Sequence, residues 1–249
     1  MPPAGPRITL VGRSEFLPPA GLPFRTDGAG GQALAEFAGR AIYQSWERAV
    51  PATATNEGFL RHLLQVGHLS VLEHAVATFH VAGLSQSAAH EMVRHRHLSI
   101  SQLSPRMAPA AGGAPVEPPA VAADPELHAR FTAAVQQAQQ AYEQILTVLE
   151  QAAPVTGRGT VAGKQARQAA RAVLPLAGAT ELVVTGNYRS WRHFIGNRAT
   201  DAADPEIRGV AVAVLRELTE LAPAVFGDFR ISELPDGTFT AASPYVGEG

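Results

Sequence analysis

Arg94-His95-Arg96-His97-Leu98-Ser99-Ile100-Ser101-Gln102-Leu103-Ser104-Pro105-Arg106 is the stretch that decides how this chain is read. Its thirteen residues hold three arginines, two histidines, three serines and one glutamine. That density of hydrogen-bond donors suits an anionic ligand, because a guanidinium presents five fixed donors that match phosphate oxygens in pairs. A helix from about Ser85 to Val93 delivers the segment. Arg94 and Arg96, two positions apart, point in different directions and can serve different ligands. Ser99, Ser101, Ser104 and Gln102 add neutral donors and acceptors of the kind found in loops. Taken alone, an Arg-His-Arg triplet also fits a solvated loop or an ion-pair cluster.

Three more blocks share the chemistry. Gly67-His68-Leu69-Ser70-Val71-Leu72-Glu73-His74 precedes the segment, and Lys164-Gln165-Ala166-Arg167-Gln168-Ala169-Ala170-Arg171-Ala172-Val173-Leu174-Pro175 follows it. The last is Thr185-Gly186-Asn187-Tyr188-Arg189-Ser190-Trp191-Arg192-His193-Phe194, with Asn197-Arg198 after it. In this order and spacing the four blocks resemble the flavin-dependent thymidylate synthases, whose signature runs Arg-His-Arg-x-x-Ser-x-Asn-Glu-x-Ser-x-Arg. Arg94, His95, Arg96, Ser99, Ser104 and Arg106 match it, while Ser101 and Gln102 replace the Asn and Glu.

Composition bounds the reading. The chain has 249 residues, is 46% hydrophobic and carries a net charge of −2, so one large domain over 1–249 with a substantial core is expected. No global basic field points to a nucleic-acid polymer. No leader and no apolar run near the roughly 18 residues of a membrane span are visible, and a cytoplasmic enzyme is expected. The absence of cysteine excludes disulfides, thiolate metal sites and cysteine nucleophiles. His68 and His74 form no recognisable ligand pattern, and no metal is expected.

Local patterns predict the elements. Arg7 to Gly12 reads as a strand, and Gln32 to Ser45 and Asn56 to Val66 as helices. Glu73 to Val81 alternates as a strand, with Ala77, Phe79 and Val81 on one side, and Glu181 to Thr185 is another. Met107 to Ala123, rich in proline and glycine, predicts a mobile loop that is either a lid or a connector. Asp124-Pro125-Glu126 and Asp204-Pro205-Glu206 are helix starts. Leu127, Phe131, Val135, Tyr142, Ile145 and Leu149 make a stripe for core or subunit interface. Phe229 to Glu233 and Thr238 to Ala242 suggest a terminal hairpin around Pro235-Asp236-Gly237. With no Gly-x-Gly-x-x-Gly, a Rossmann flavin site is not supported.

The resemblance implies an α/β (α+β) fold of the thymidylate synthase-complementing-protein kind, with helices on a central mixed or antiparallel sheet. It also implies a homotetramer whose active sites are shared between subunits. The family methylates dUMP to dTMP with FAD, taking the carbon from methylenetetrahydrofolate and the reducing equivalents from NADPH. Uracil C5 is a poor nucleophile, and a chain without cysteine must activate it by polarising the ring, with the flavin carrying the redox chemistry. Arg198 matches the arginine that polarises the pyrimidine, and His74 a histidine near flavin and folate. Substrate positions are matched by Glu91, Met92, Val93, Arg94, Gln102, Leu103, Ser104, Pro105, Arg106, Arg171 and Arg198. Flavin positions are matched by Ser70, Arg94, His95, Arg96, Gln102, Asn187, Tyr188, Arg189 and His193.

Two departures bear on specificity. Met107 stands where the family usually has tyrosine, and Ala202 where it usually has histidine. Both losses are expected to loosen FAD binding, and the flexible Met107 suggests UMP as a substrate in place of dUMP. Two other readings are a non-catalytic FAD- or nucleotide-binding relative and an NADPH oxidase flavoprotein.

Overall fold

The computed structural model describes residues 5–47, 50–104, 114–152 and 161–246. The chain opens with strand β1 (Arg7–Arg13) and helix α1 (Gly30–Tyr43), whose buried face is built from small residues such as Ala33, Ala35 and Gly39. Helix α2 (Asn56–Gln65) starts at Thr55, whose hydroxyl accepts from the Gly58 N–H at 3.1 Å. A 3-10 turn (Leu69–Glu73) then leads into strand β2 (Val76–Ser85), where Ala77, Phe79 and Val81 are buried as the alternation predicts. Helix α3 (Gln86–Met92) and strand β3 (Ser99–Gln102) follow. After α4 (Pro119–Ala122), α5 (Pro125–Ala152) and α6 (Val161–Ala170) come strand β4 (Ala179–Asn187) and helix α7 (Tyr188–Arg198). Helices α8 (Pro205–Leu221) and α9 (Pro223–Phe226) precede the hairpin of β5 (Arg230–Glu233) and β6 (Phe239–Ala242).

The four-stranded sheet has the order β1-β2-β4-β3. Its registers are antiparallel. Gly12 faces Thr78 and the Ser14 N–H bonds the Val76 carbonyl across β1 and β2. Between β2 and β4, the Gln86 N–H reaches Gly178 at one end and the Tyr188 N–H reaches Ala75 at the other. Between β4 and β3, the Leu103 N–H bonds Glu181 while Leu98 packs on Gly186. The α+β reading therefore holds, and the sheet is antiparallel rather than mixed.

One expectation changes. Ser99 to Gln102, read as loop because of its serines, is strand β3. A Ser-Ile-Ser-Gln alternation is two-periodic, and its edge pairing with β4 satisfies the backbone that the polar side chains leave open.

The chain forms two compact units, one of 1–7, 82–91 and 101–182, the other of 8–81, 92–100 and 183–249. In the first, α5 packs on α6, and of the predicted stripe only Tyr142 is buried; Leu127 and Ile145 are exposed. In the second, Leu60, Leu72, Phe79, Trp191, Phe194, Val210 and Phe226 make the core. Of the predicted mobile loop, 107–113 lies outside the described residues. Within 114–123 the Val116 N–H donates to the Ala177 carbonyl at 2.8 Å and 119–122 form α4. No helix among the described residues is long and apolar enough to cross a membrane.

Candidate active site

Helix α7 presents much of the polar chemistry of the second unit. Asn187 caps it, its side-chain oxygen accepting from the Ser190 N–H and hydroxyl at 2.8 Å each. Tyr188, Trp191, Arg192, Phe194 and Ile195 turn inward, while Arg189 and His193 are exposed and Asn197 is half-buried. Arg198 ends the helix, where a cation is favoured by the backbone dipole.

The Arg-His-Arg segment meets this helix. Arg198 Nε donates to His95 Nε2 at 2.9 Å. The accepting nitrogen carries no proton, so His95 is neutral with its proton on Nδ1. Burial first, then the positive charge of Arg198, then His193 and His97, push the His95 pKa down to about 4. Its ring lies edge-on to Phe194 at 5.1 Å and near His193 at 6.2 Å. Arg94 and Arg96 flank it, both exposed. Asn197 lies within hydrogen-bond distance of the His193 ring, Nδ2 to Nε2 at 3.0 Å.

A second edge of the same unit gathers Ser70 and His74, both exposed, on the 3-10 turn and its end. Glu73 between them accepts from Arg189 Nη1 at 2.6 Å. An exposed pair of this kind contributes at most about 1 kcal/mol; its consequence is to bring the second block beside the fourth. Tyr188 packs its phenol against Phe226 at 5.4 Å and is fully buried, and Met92 is fully buried too. Both can reach a ligand only through the backbone. Val93 is exposed.

The first unit places the remaining matched positions. Gln102 Nε2 donates to Gln86 Oε1 at 2.8 Å, joining β3 to the start of α3. Leu103 is exposed, its N–H donating to Glu181, and Ser104 and Glu91 are half-buried. Arg171 opens the 3-10 turn after α6 and is half-buried, whereas Arg167, one helical turn earlier, is buried. Pro105, Arg106 and Met107 lie outside the described residues. No group of three or more His, Asp or Glu side chains among the described residues is arranged to hold a metal ion.

Sequence reasoning missed Glu73 as the partner of Arg189, and missed the roles of Arg192 and Gly196; it read the terminal hairpin, which the structure shows as β5 and β6, but not its packing behind α7. The available signals were an arginine on the apolar stripe of an amphipathic helix and a glycine inside that helix.

The family model described as thymidylate synthase complementing protein matches residues 26–224. The chain is 53% identical over 246 residues to a flavin-dependent thymidylate synthase of Mycobacterium sp. (strain JLS), covering 97% of each chain. It is 53% identical over 243 residues to one of Mycobacteroides abscessus, covering 98% of this chain and 97% of the relative. To one of Mycobacterium marinum it is 50% identical over 242 residues, covering 97% of each. With His95 and Arg198 joined across two of the four blocks and relatives aligned over nearly the whole length, the chain belongs to the thymidylate synthase complementing protein family.

Proposed function

We propose that this enzyme reductively methylates C5 of a uracil nucleotide, dUMP to dTMP, with FAD as cofactor, methylenetetrahydrofolate as carbon donor and NADPH as reductant. The relatives named as flavin-dependent thymidylate synthases support the reading. The observation that carries it is the Arg198–His95 contact at 2.9 Å.

Activating C5 without a thiolate requires negative charge to accumulate on the N3–carbonyl edge of the pyrimidine, and a cation held in place lowers that cost. Arg198 is the proposed cation. His95 accepts from Arg198 Nε through a neutral nitrogen, so this contact helps fix the guanidinium plane without adding a second positive charge beside it. Glu91, Met92, Val93, Arg94, Gln102, Leu103, Ser104 and Arg171 are the proposed substrate contacts, on the ground of the sequence blocks that carry them. Pro105 and Arg106 join them on sequence grounds.

The donor set fits a diphosphate-bearing flavin. Exposed Arg94 and Arg96 flank a histidine that stays neutral, and exposed His193 on α7 adds a second imidazole, its ring 6.2 Å from that of His95. Guanidiniums match phosphate oxygens, and imidazoles and amides match ring edges and hydroxyls. Ser70, Arg94, His95, Arg96, Asn187, Tyr188 (through its backbone), Arg189 and His193 are proposed to hold FAD, and Gln102 is proposed with them on sequence grounds. When bound, FAD supplies the two-electron reducing chemistry. His74, exposed beside Glu73, is proposed to face flavin and folate.

A homotetramer is proposed, and the exposed apolar residues Leu127, Ile145 and Val148 on α5 support it. A second reading, UMP as substrate, rests on Met107 and on Ala202, which is exposed in the turn between α7 and α8.

An anaerobic assay with FAD, NADPH and methylenetetrahydrofolate, offering dUMP and UMP in competition, tests both. Predominant dTMP, lost in Arg198→Ala by about 100-fold or more, is the expected result. Predominant 5-methyl-UMP would transfer the proposal to the ribonucleotide. NADPH consumption without either product would leave an oxidase, and neither consumption nor product a binding protein.

A further inference from the structure

We infer that the C-terminal hairpin and the residues just after it, 228–246, are a positioning device for Arg198, holding α7 from behind at three successive turns. The inference rests on the proposed role of Arg198, and the hairpin lies beyond the span 26–224 matched by the family model.

The three grips fall on one stripe of α7, at positions 192, 196 and 199, spaced four and three apart as one helix face requires. At the first, Arg192 is buried. Its Nη1 and Nη2 donate to the two Asp228 oxygens at 2.6 and 2.7 Å, and Nη1 also donates to the Val225 carbonyl. Ser243 completes the ring: its hydroxyl accepts from Arg192 Nη2 at 3.2 Å and donates to Asp228. The guanidinium stacks 4.8 Å over Phe229. At the second, a Cβ on Gly196 would overlap Val246 Cγ1, so the valine seats directly on the glycine's backbone. At the third, the Ala241 N–H of β6 donates to the Ala199 carbonyl at 2.8 Å. That carbonyl belongs to the residue after Arg198.

The hairpin tip holds the chain just downstream. Buried Arg208 donates to the carbonyls of Asp201 at 3.0 Å and Ala203 at 3.5 Å, and to the Thr238 hydroxyl at 2.8 Å. Asp236 lies 3.6 Å from the same guanidinium and accepts from the Thr238 N–H and hydroxyl. Arg198 thus stands between a helix gripped from behind and a connection gripped from the side. Its own side chain is met by His95 in front. A bidentate arginine–carboxylate pair, a steric seat and a backbone bond resist different motions: rotation about the helix axis, approach, and sliding along it. None of these residues is proposed to touch substrate. They act through α7.

The test is a compensating pair. Gly196→Ala adds the methyl that displaces Val246 while raising intrinsic helix propensity. A purely structural role predicts at most a change in thermal stability. A positioning role predicts kcat/KM for dUMP lower by about 10- to 100-fold, with flavin content retained, and recovery to within about threefold when Val246→Gly removes the overlap. The second readout is independent of turnover. The Arg198 contact helps hold His95 neutral, so ring NMR should show His95 in Gly196→Ala titrating higher than in the wild type, and returning in the double variant. The groups facing His95 are Arg198 and His193 on α7 and His97 on its own segment.

Wild-type kcat/KM in Gly196→Ala, or loss that Val246→Gly does not reverse, would overturn the inference. So would an unmoved His95 titration. Should Gly196→Ala not fold, as judged by circular dichroism, Asp228→Asn is measured with the same two readouts and decides in the same way. Failure of the proposed role of Arg198 looks different: Arg198→Ala would keep its activity while the His95 titration still followed the hairpin variants.

Discussion

Arg198→Ala should raise the pKa of His95 without restoring it to the ordinary value. In the wild type the group is pushed from 6.5 to about 4, by burial first and by Arg198 second. Removing the arginine leaves burial and the two other histidines in place, so the new value should lie between those limits. The sign for stability follows from the direction. A histidine whose folded pKa is depressed favours folding while it is neutral. That contribution is complete above about pH 6.5 and is lost as pH falls through the window from 6.5 to about 4. At ~1.4 kcal/mol per pKa unit the displacement sets a ceiling of roughly 3 kcal/mol. His95 is only half-buried, and solvent screening reduces this to about 1–2 kcal/mol. Urea unfolding at pH 7.5, 6, 5 and 4.5 reads the loss directly, and nitrogen-15 NMR of the ring reads the proton. The wild type should lose stability through that window and show the Nδ1–H tautomer above it. Arg198→Ala should lose less, over a window shifted upward. Titration of wild-type His95 at 6.5 or above would refute the reasoning, because burial and a guanidinium donating to Nε2 both disfavour the imidazolium and must lower the pKa.

Two further outcomes follow from packing. Glu36 is fully buried, accepting from Arg40 Nε at 2.7 Å, Thr26 Oγ1 at 2.6 Å and Asn56 Nδ2 at 2.9 Å. Glu36→Ala strands the buried Arg40 charge and should cost about 3–5 kcal/mol in urea unfolding, whereas Glu36→Leu with Arg40→Met should recover most of it. A Cβ on Gly186 would stand 2.5 Å from Leu98 Cδ2 and 3.0 Å from Trp191 Nε1, which itself donates to the Ala77 carbonyl at 3.1 Å. Gly186→Ala should therefore lower stability by about 1–3 kcal/mol, visible as a lower Tm; an unchanged Tm would mean that the chain before β3 yields freely at Leu98.

What was legible in the sequence was what local chemistry writes into local pattern. Asp124 and Asp204 cap the helices their Asp-Pro-Glu triplets announce, each accepting from the N–H two residues on. Phe79 and its neighbours alternate into the core as read. The strand at Ser99 was hidden because serine and glutamine look like loop, and only pairing with β4, about eighty positions further along, makes them strand. The α5 stripe was legible as apolar but not as buried, since periodicity gives a face and not its partner. On α7 the same limit is sharper. Outward residues such as His193 and Arg198 announced themselves by type, while Arg192 looked like one more basic residue. Its meaning depends on Asp228 and Ser243, which share no local pattern with it.

The arrangement around Arg198 follows from a single constraint. A guanidinium that must stabilise developing charge has to be fixed in place and still charged. Carboxylates fix two buried arginines of this chain, Glu36 on Arg40 and Asp228 on Arg192. Both of those arginines are structural. Arg198 donates to a neutral imidazole in front, while backbone and helix contacts hold α7 behind it. Six residues back along α7, the Arg192–Asp228 pair anchors the helix that carries it. Half-burial then closes the argument. It keeps His95 neutral at the pH where the arginine must act, and only a neutral His95 can accept from Arg198 Nε.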